Sequence, residues 1–316
     1  MTGSKDCRLA LWTIGRDLED DPVQVEMLPL PPPVRPMPRE QGGIHALKVS
    51  PCGTRLAVGS SNPCEVAVLS IDSWKPRVLC VGHNDWVFGC DWVDEQTLWT
   101  GSRDKTLKVW RVSAFDDDND DPSPMGQLQP GATLKHHADR VRAMRVIRPL
   151  KLAASLGSDR RLAMWDTDTG GLVRSTATRD REDLIALEAD YQYGLIAAGG
   201  RDFVSFFDPR QEGIVHSEPS FNHSMGVRSI SFRGNLMTVG GGMGRLCFYD
   251  LAAGAWHRFE NNKPYRVLES QLLGAGGQDE FQAVYAHNWD CDGARLFAGG
   301  GPLMLQEVGS YASLYH

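Results

Sequence analysis

Three side chains in one part of the chain are of the types that form a hydrolytic triad. His83 could serve as a general base, Thr100 could supply a nucleophilic hydroxyl, and Asp104 could orient the imidazole ring. The same residue types also hydrogen-bond to one another across β-sheets, where they satisfy buried polar groups. The elements that carry these residues therefore decide between catalysis and structural support.

Other signatures of catalysis are absent from the sequence. The chain contains no Gly-x-x-x-x-Gly-Lys-[Ser/Thr], no His-Glu-x-x-His and no Gly-x-Ser-x-Gly motif. The adjacent His136 and His137 are the strongest candidates for metal binding, but no third ligand stands at a suitable spacing. We therefore expect no enzymatic activity, no metal and no other cofactor.

The elements of the chain form a repeat array of short strands. In each unit a first apolar strand leads to a second strand that ends in glycine, then to a tight turn, and then to a third strand that ends in aromatic residues. The first strands are predicted to begin at Gly43, Trp86, Val141, Leu184, Val227 and Ala283. A period of roughly 40 to 55 residues and the lack of a sustained helical period are typical of antiparallel β repeats.

Repeats of this length resemble the WD40 β-propellers, since Gly82-His83 precedes a first strand and Trp165-Asp166 closes a third. The signature is strongest in one unit, which contains His83, Thr100, Asp104 and Trp110. In such blades these four residues hydrogen-bond across the sheet, which favours the structural interpretation over the catalytic one. The resemblance implies an all-β fold with a single WD40 β-propeller domain over residues 1–316.

The two ends of the chain predict an incomplete blade. The segment "TGSKDCRLALW" at residues 2–12 matches "TGSRDKTLKVW" at residues 100–110, so residues 2–30 supply only a third and a fourth strand, and residues 281–316 supply the first three. Closure of a ring removes exposed strand edges. We therefore expect seven blades, with one incomplete at the N- and C-terminal seam, in a chain that lacks roughly 30 to 40 N-terminal residues. We also expect the strands near Cys7 and Tyr311 to lack normal partners. A six-bladed ring with one redundant strand is the alternative.

Two segments interrupt the repeat. Residues 28–41, "LPLPPPVRPMPREQ", are rich in proline and are predicted to be an extended, solvated connector. Residues 114–127, "AFDDDNDDPSPMGQ", contain five aspartates between a third and a fourth strand and are predicted to form an acidic disordered loop.

Basic residues recur at two positions of the repeat. The second-to-third turns carry Lys5, Arg103 and Arg201, and the starts of first strands carry Arg142 and Arg228, with Arg140 nearby. In a propeller both positions lie around one end of the central channel, so the resemblance implies that these side chains converge. Since arginine presents a rigid fork to carboxylates, the set predicts a pocket for a carboxylate-rich ligand. The alternative is that each is an ordinary solvated cation.

Longer segments resemble the WD-repeat substrate receptors of the cullin-4 ubiquitin ligase, in particular the factor-12 family among them. The segments are "GGIHAL", "GHNDWVF", "GSRD", "VRAM", "SFFDPRQ", "VRSISF", "FYD" and "ARLFAGGGPL". The resemblance covers nearly the whole chain and implies a non-catalytic receptor whose basic pocket binds acidic, Glu-Glu-type C-termini of substrate proteins. The residues implied for substrate binding are Lys5, Arg103, Arg140, Arg142 and Arg228, to which the repeat alignment adds Arg201.

The same resemblance implies docking to the ligase adaptor through Trp-Asp-x-Arg boxes and an N-terminal helical segment. Asp208 and Arg210 match one box, although Phe207 replaces its tryptophan. Ala252 stands where a second box would have arginine, and no such helical segment is recognised. Asp208 could instead be a turn residue that pairs locally with Arg210.

Composition limits the partners. The chain has 33 basic and 40 acidic side chains and a formal net charge of -7, which argues against a broad nucleic-acid surface. Its seven cysteines are scattered without a Cys-x-x-Cys pair, which favours free thiols in a reducing compartment, and no apolar run predicts a membrane span. We expect a protein of the cytoplasm and nucleus that binds the cullin-4 ligase adaptor and substrates with acidic C-termini. The alternative is a general propeller scaffold unconnected with ubiquitin.

Overall fold

The fold is described from a computed structural model that covers most of the chain. The residues not described are 4–6, 14–23, 32–42, 62–64, 114–124, 179–183, 191, 193, 202, 220–225, 242–245, 258–265, 274–281, 291, 303–307 and 316. Lys5 and most of the two interrupting segments therefore lie outside the described residues. The chain divides into two compact units, Met1–Ser175 and Thr176–His316, which are considered in turn.

The first unit contains four sheets. The N-terminal sheet consists of β1 (Thr2–Gly3), β2 (Leu9–Thr13) and β3 (Gln24–Leu28). The second contains β4 (Ile44–Val49), β5 (Arg55–Ser60), β6 (Val66–Ser70) and β7 (Pro76–Cys80). The third contains β8 (Val87–Trp92), β9 (Thr97–Ser102), β10 (Thr106–Arg111) and β12 (Ala132–Lys135). The short strand β11 (Gly126–Leu128), which lies between β10 and β12 in the chain, belongs to the second sheet. The fourth consists of β13 (Val141–Ile147), β14 (Leu152–Gly157), β15 (Arg161–Asp166) and β16 (Leu172–Ala177), with a 3-10 helix at Arg148–Leu150.

The second unit contains three four-stranded sheets. One consists of β17 (Ala186–Ala189), β18 (Ile196–Gly199), β19 (Phe203–Phe207) and β20 (His216–Pro219). The next consists of β21 (Val227–Arg233), β22 (Leu236–Gly241), β23 (Leu246–Asp250) and β24 (Ala255–His257). The last contains β25 (Arg266–Leu273), β26 (Gln282–Trp289), β27 (Leu296–Pro302) and β28 (Val308–Tyr315) in the order β25-β28-β27-β26. No helix in the described part of the chain is long and apolar enough to cross a membrane.

The predicted first strands are confirmed to within a few residues, but the last sheet differs from the expectation. The prediction that the strand near Tyr311 lacks a partner is wrong, because β28 pairs with β27 on one side and with β25 on the other. The strand after Cys7 is likewise flanked, since β2 pairs with β1 and β3. Strand counting along the sequence misses β25 because this outer strand precedes the first strand of its own sheet.

The limits of the two interrupting segments also need correction. Gly126 and Gln127, assigned from sequence to the acidic loop, lie in β11, which pairs in parallel with β7 and adds a fifth strand to the second sheet. Leu28, assigned to the proline-rich connector, ends β3 and is buried in the core. Each interrupting segment is therefore shorter than the composition predicts.

Neighbouring sheets fit closely where a glycine of one faces a valine of the next. A Cβ atom placed on Gly101 of β9 would lie 2.8 Å from Cγ1 of Val141, and one on Gly59 of β5 would lie 2.9 Å from Cγ1 of Val87. In the second unit, Val284 has the same relation to Gly240 at 2.7 Å. Any larger residue at these glycines would force the sheets apart, because protein interiors have no spare volume.

The residue that follows each of these valines is the extra residue of a β-bulge. Val141 pairs with Gly157 and Ala143 with Leu156, so Arg142 has no opposite partner in the strand register. Bulge residues are re-aimed relative to the regular alternation of a strand. The bulge residues of the five first strands that carry one are His45, Phe88, Arg142, Arg228 and Tyr285.

The triad-like residues form a buried structural network. The Nδ1–H group of His83 donates to Asp104 Oδ2 at 2.7 Å, and the Thr100 hydroxyl donates to His83 Nε2 at 2.7 Å. The Trp110 indole donates to the Thr100 hydroxyl oxygen at 2.9 Å. Burial lowers the pKa of His83 and favours its neutral form. His83 is only 2% exposed and Thr100 is completely buried, so the arrangement fits the structural interpretation of these residues.

The same network recurs at His137, which sequence analysis weighed only as a metal ligand. His137 Nδ1 lies 3.0 Å from Asp159 Oδ2, and its Nε2 lies 2.8 Å from Ser155 Oγ, to which the Trp165 indole also donates. Both ring nitrogens are thus occupied by hydrogen bonds within the sheet. No group of three metal-ligating side chains is found in the described part of the chain.

Replacement of Thr100 tests the structural role of the network. Thr100→Val conserves shape but leaves the His83 Nε2 and the Trp110 N–H without their partner in a dry environment. We expect the free energy of unfolding to fall by about 2–4 kcal/mol, measured by urea denaturation. Thr133→Val is the matched control, because Thr133 is exposed and bonds to the Lys108 ammonium. A loss no larger than that of the control would contradict the structural role.

Candidate carboxylate-binding site

The turn between β9 and β10 places Arg103 beside the start of β8. The turn is closed by the Lys105 N–H, which donates to the Ser102 carbonyl at 3.2 Å, and Lys105 has a left-handed φ of 71°. The Arg103 N–H donates to the Trp86 carbonyl at 2.8 Å. The backbone of the turn is therefore fixed to the residue that precedes β8, and the Arg103 side chain begins from a defined point.

The bulge of β13 places Arg142 at the start of the neighbouring sheet. Its Nε–H donates to the Ser158 hydroxyl at 2.9 Å, which links it to the turn between β14 and β15. Its guanidinium carbon lies 5.4 Å from the centroid of the Phe88 ring. Phe88 is itself the bulge residue of β8. Two successive bulges thus bring a cation of one sheet against an aromatic ring of the previous sheet.

An aromatic cluster joins the two arginines. The guanidinium carbon of Arg103 lies 4.8 Å from the Trp86 ring centroid, and the Trp86 and Phe88 rings meet edge to face with centroids 5.9 Å apart. His45, the bulge residue of β4, stacks on Trp86 at 5.6 Å. Arg103 and Arg142 therefore share one partly exposed surface, as the sequence predicts for this pair.

The aromatic part of this site was not predicted from the sequence. His45, Trp86 and Phe88 lie in the segments "GGIHAL" and "GHNDWVF", where the repeat pattern identifies them only as strand residues. Their position in the repeat could have identified two of them as site residues, because His45 and Phe88 occupy the same place in their strands as Arg142 does in "VRAM".

Acidic neighbours partly neutralise the cations. Arg103 Nε lies 3.6 Å from Asp85 Oδ2, and both side chains are about one-third exposed (34% and 29%). Arg140, two residues before Arg142, lies 3.9 Å from the adjacent Asp139. Exposed pairs at such distances contribute little to stability. These aspartates can therefore be displaced from the guanidinium groups by a better carboxylate ligand at low cost.

The second unit contains the two other described cations of the predicted set. Arg228 is the bulge residue of β21, and its Nε atom is buried without a hydrogen-bond partner among the described residues. Burial raises the pKa of Tyr285, the bulge residue of β26, and the nearby positive charge of Arg228 opposes this rise. Arg201 lies in the turn after β18 and is exposed. The bulge at Arg228 thus repeats the local geometry found at Arg142.

The predicted adaptor-binding residues form a local pair. The Arg210 guanidinium donates from Nε to Asp208 Oδ1 at 2.9 Å and from Nη2 to Oδ2 at 3.1 Å. These hydrogen bonds from Arg210 lower the pKa of Asp208. Asp208 and Arg210 therefore pair locally, and this pairing is compatible with both interpretations of the two residues. The Arg210 side chain is 66% exposed and remains accessible on the surface.

The comparison with known families identifies the fold. A family model described as the DDB1- and CUL4-associated factor 12 beta propeller matches residues 24–275, which is well over half of the chain. The match includes Arg103, Arg140, Arg142 and Arg228 but not Lys5. The six sheets of four or five strands are accordingly blades of an all-β propeller. The chain belongs to the DDB1- and CUL4-associated factor 12 beta-propeller family.

Proposed function

We propose that the chain is a non-catalytic substrate receptor of a cullin-4 ubiquitin ligase that captures acidic, Glu-Glu-type C-termini. The observation that carries this proposal is the joint placement of Arg103 and Arg142 on one aromatic surface. The protein as a whole is acidic, with a formal net charge of -7. A local pair of arginines in such a molecule favours a specific anionic ligand over nonspecific binding of polyanions.

The charge of the ligand is opposite to that of the assigned side chains. A peptide that ends in two glutamates carries three carboxylates, and guanidinium groups bind carboxylates through two parallel hydrogen bonds. We assign these contacts to Lys5, Arg103, Arg140, Arg142 and Arg228, with Arg201 as a peripheral cation.

We further propose that residues 1–316 form one propeller domain with seven blades, one of which is incomplete. The protein is proposed to act in the cytoplasm and the nucleus.

The family name links its members to DDB1 and cullin-4, which supports our assignment of the chain to the machinery of this ligase. We assign part of the adaptor contact to Asp208 and Arg210. Their bidentate pair holds the Arg210 guanidinium in a fixed orientation, while most of the side chain stays exposed. An ordered, exposed cation of this kind is suited to an interface with a protein partner.

Peptide titration tests the recognition of C-termini. We expect Arg142→Ala or Arg228→Ala to weaken the binding of a fluorescent Glu-Glu-ending peptide by about tenfold or more, because each charge-assisted hydrogen bond contributes about 1.5–3 kcal/mol and about 1.4 kcal/mol corresponds to tenfold. Fluorescence anisotropy measures the dissociation constants. Arg111→Ala, at the opposite end of β10, is the control and should bind as the wild type does. Equal affinity for the free and the C-terminally amidated peptide would contradict the proposal.

Removal of a competing carboxylate should strengthen binding. Asp85→Asn eliminates the negative charge beside Arg103 and keeps an oxygen that can accept the Trp86 N–H, now bonded at 2.8 Å. We expect the affinity for the acidic peptide to rise about two- to fivefold, the scale of a surface ion pair. Asp168→Asn removes the same charge from the exposed pair with Lys151. If both variants raise the affinity equally, the effect comes from net charge and not from release of Arg103.

The link to the ligase is tested with purified DDB1. We expect the wild-type chain to retain DDB1 in a pull-down and Arg210→Ala to retain several-fold less, since the variant removes an exposed guanidinium without opening the core. Lys75→Ala, an exposed substitution in the turn between β6 and β7, is the control. Failure of the wild type to retain DDB1 would favour the general scaffold, whereas equal retention by Arg210→Ala would remove Arg210 from the interface.

A further inference from the structure

The two arginines of the candidate site rest on aromatic rings that are themselves held in place. The Arg103 and Arg142 guanidinium carbons lie 4.8 Å from the Trp86 centroid and 5.4 Å from the Phe88 centroid, respectively. These distances are within the range of cation–π contacts. Trp86 and Phe88 flank Val87, which is completely buried. The backbone that carries both rings is therefore held in place by the core.

His45 supports the rings from the neighbouring sheet. Its imidazole stacks on Trp86 with an interplanar angle of 16° and meets Phe88 at a centroid distance of 5.2 Å. The three centroids lie between 5.2 and 5.9 Å of one another, which is the spacing of rings in direct contact. The cluster is therefore a packed support and not an open cage that could enclose a ligand cation.

We propose that Trp86 and Phe88 are positioning residues for carboxylate recognition, which hold the guanidinium groups of Arg103 and Arg142 in place before the ligand binds. This inference rests on the proposed function and deepens it. A long arginine side chain loses much rotamer freedom when it is fixed by a ligand. If the rings fix it in the free protein, this cost does not reduce the affinity.

The arrangement also explains why arginine stands at both places. A guanidinium is flat, so it can lie against a ring and still present its N–H edge to a carboxylate. A lysine ammonium could contact the ring but would offer no two-point fork. The site therefore selects planar, two-point recognition of carboxylates. We expect Arg103→Lys to lose most of the affinity that Arg103→Ala loses, although the charge is conserved.

A double-mutant cycle tests the positioning role. The probe is the fluorescent Glu-Glu-ending peptide, and the proteins are wild type, Trp86→Leu, Arg103→Ala and the double variant. We expect Trp86→Leu to weaken binding about three- to fivefold in the wild type, on the scale of a cation–π contact, and less than about twofold when Arg103 is absent. Trp86→Phe keeps an aromatic face and should restore most of the affinity. A parallel cycle uses Phe88→Leu with Arg142→Ala.

The arrangement in the free protein is measured by NMR. We expect the side-chain resonances of Arg103 in the wild type to show a ring-current shift that disappears in Trp86→Leu. Trp74→Leu, at the opposite end of the second sheet, is the control and should preserve both the shift and the affinity. Absence of the shift in the wild type would overturn the inference.

The outcomes separate the inference from the function on which it rests. If the wild type binds the peptide but the effects of Trp86→Leu and Arg103→Ala simply add, Trp86 contacts the ligand itself and only the positioning role is overturned. If the wild type does not distinguish free from amidated peptide, the proposed function fails, and the inference fails with it.

Discussion

The contact between a glycine of one sheet and a valine of the next sets the geometry of both the fold and the candidate site. At Gly101 and Val141 the sheets approach so closely that a single methyl group would not fit. This contact fixes the start of β13 against its neighbour, as the contact of Gly59 with Val87 does for β8, and in both strands the residue after the valine is the bulge residue. A requirement of close packing thus sets the position of Arg142 relative to Phe88, and the site inherits its geometry from the joint between the sheets.

Part of this arrangement was predictable from the sequence. The repeat period locates the first strands, and the alignment of turns and strand starts selects Arg103 and Arg142 before any coordinates are considered. The strand predictions succeed because local patterns dictate strands and turns, and the structure places the two arginines against one aromatic cluster. The structural role of His83 was predicted for the same reason, since its partners recur at fixed spacing. The second network at His137 was missed because Gly-His before the strand is there His-His.

The remaining features depend on contacts that no local pattern encodes. The strand order of the last sheet was missed because its outer strand, β25, comes before the first strand, β26, in the sequence and pairs with the last strand, β28. The parallel pairing of β11 with β7 was missed because β11 follows a long insertion, and the sequence of an insertion does not show which strand the chain pairs with when it ends. The aromatic support of Trp86 and Phe88 was missed because single aromatic residues in strands usually belong to the core, and only the bulge register shows that Phe88 does not follow the regular alternation.

The distribution of polar groups favours binding over catalysis. The side chains that could act as nucleophile or base, Thr100 and His83, are buried and hydrogen-bonded within the sheet. Those of Arg103 and Arg142 instead remain partly exposed, and their contacts include a carboxylate at 3.6 Å, a hydroxyl and two aromatic rings. Rings and hydroxyls orient a cation without adding a negative charge beside it, so these contacts suit a guanidinium group that binds an anionic ligand.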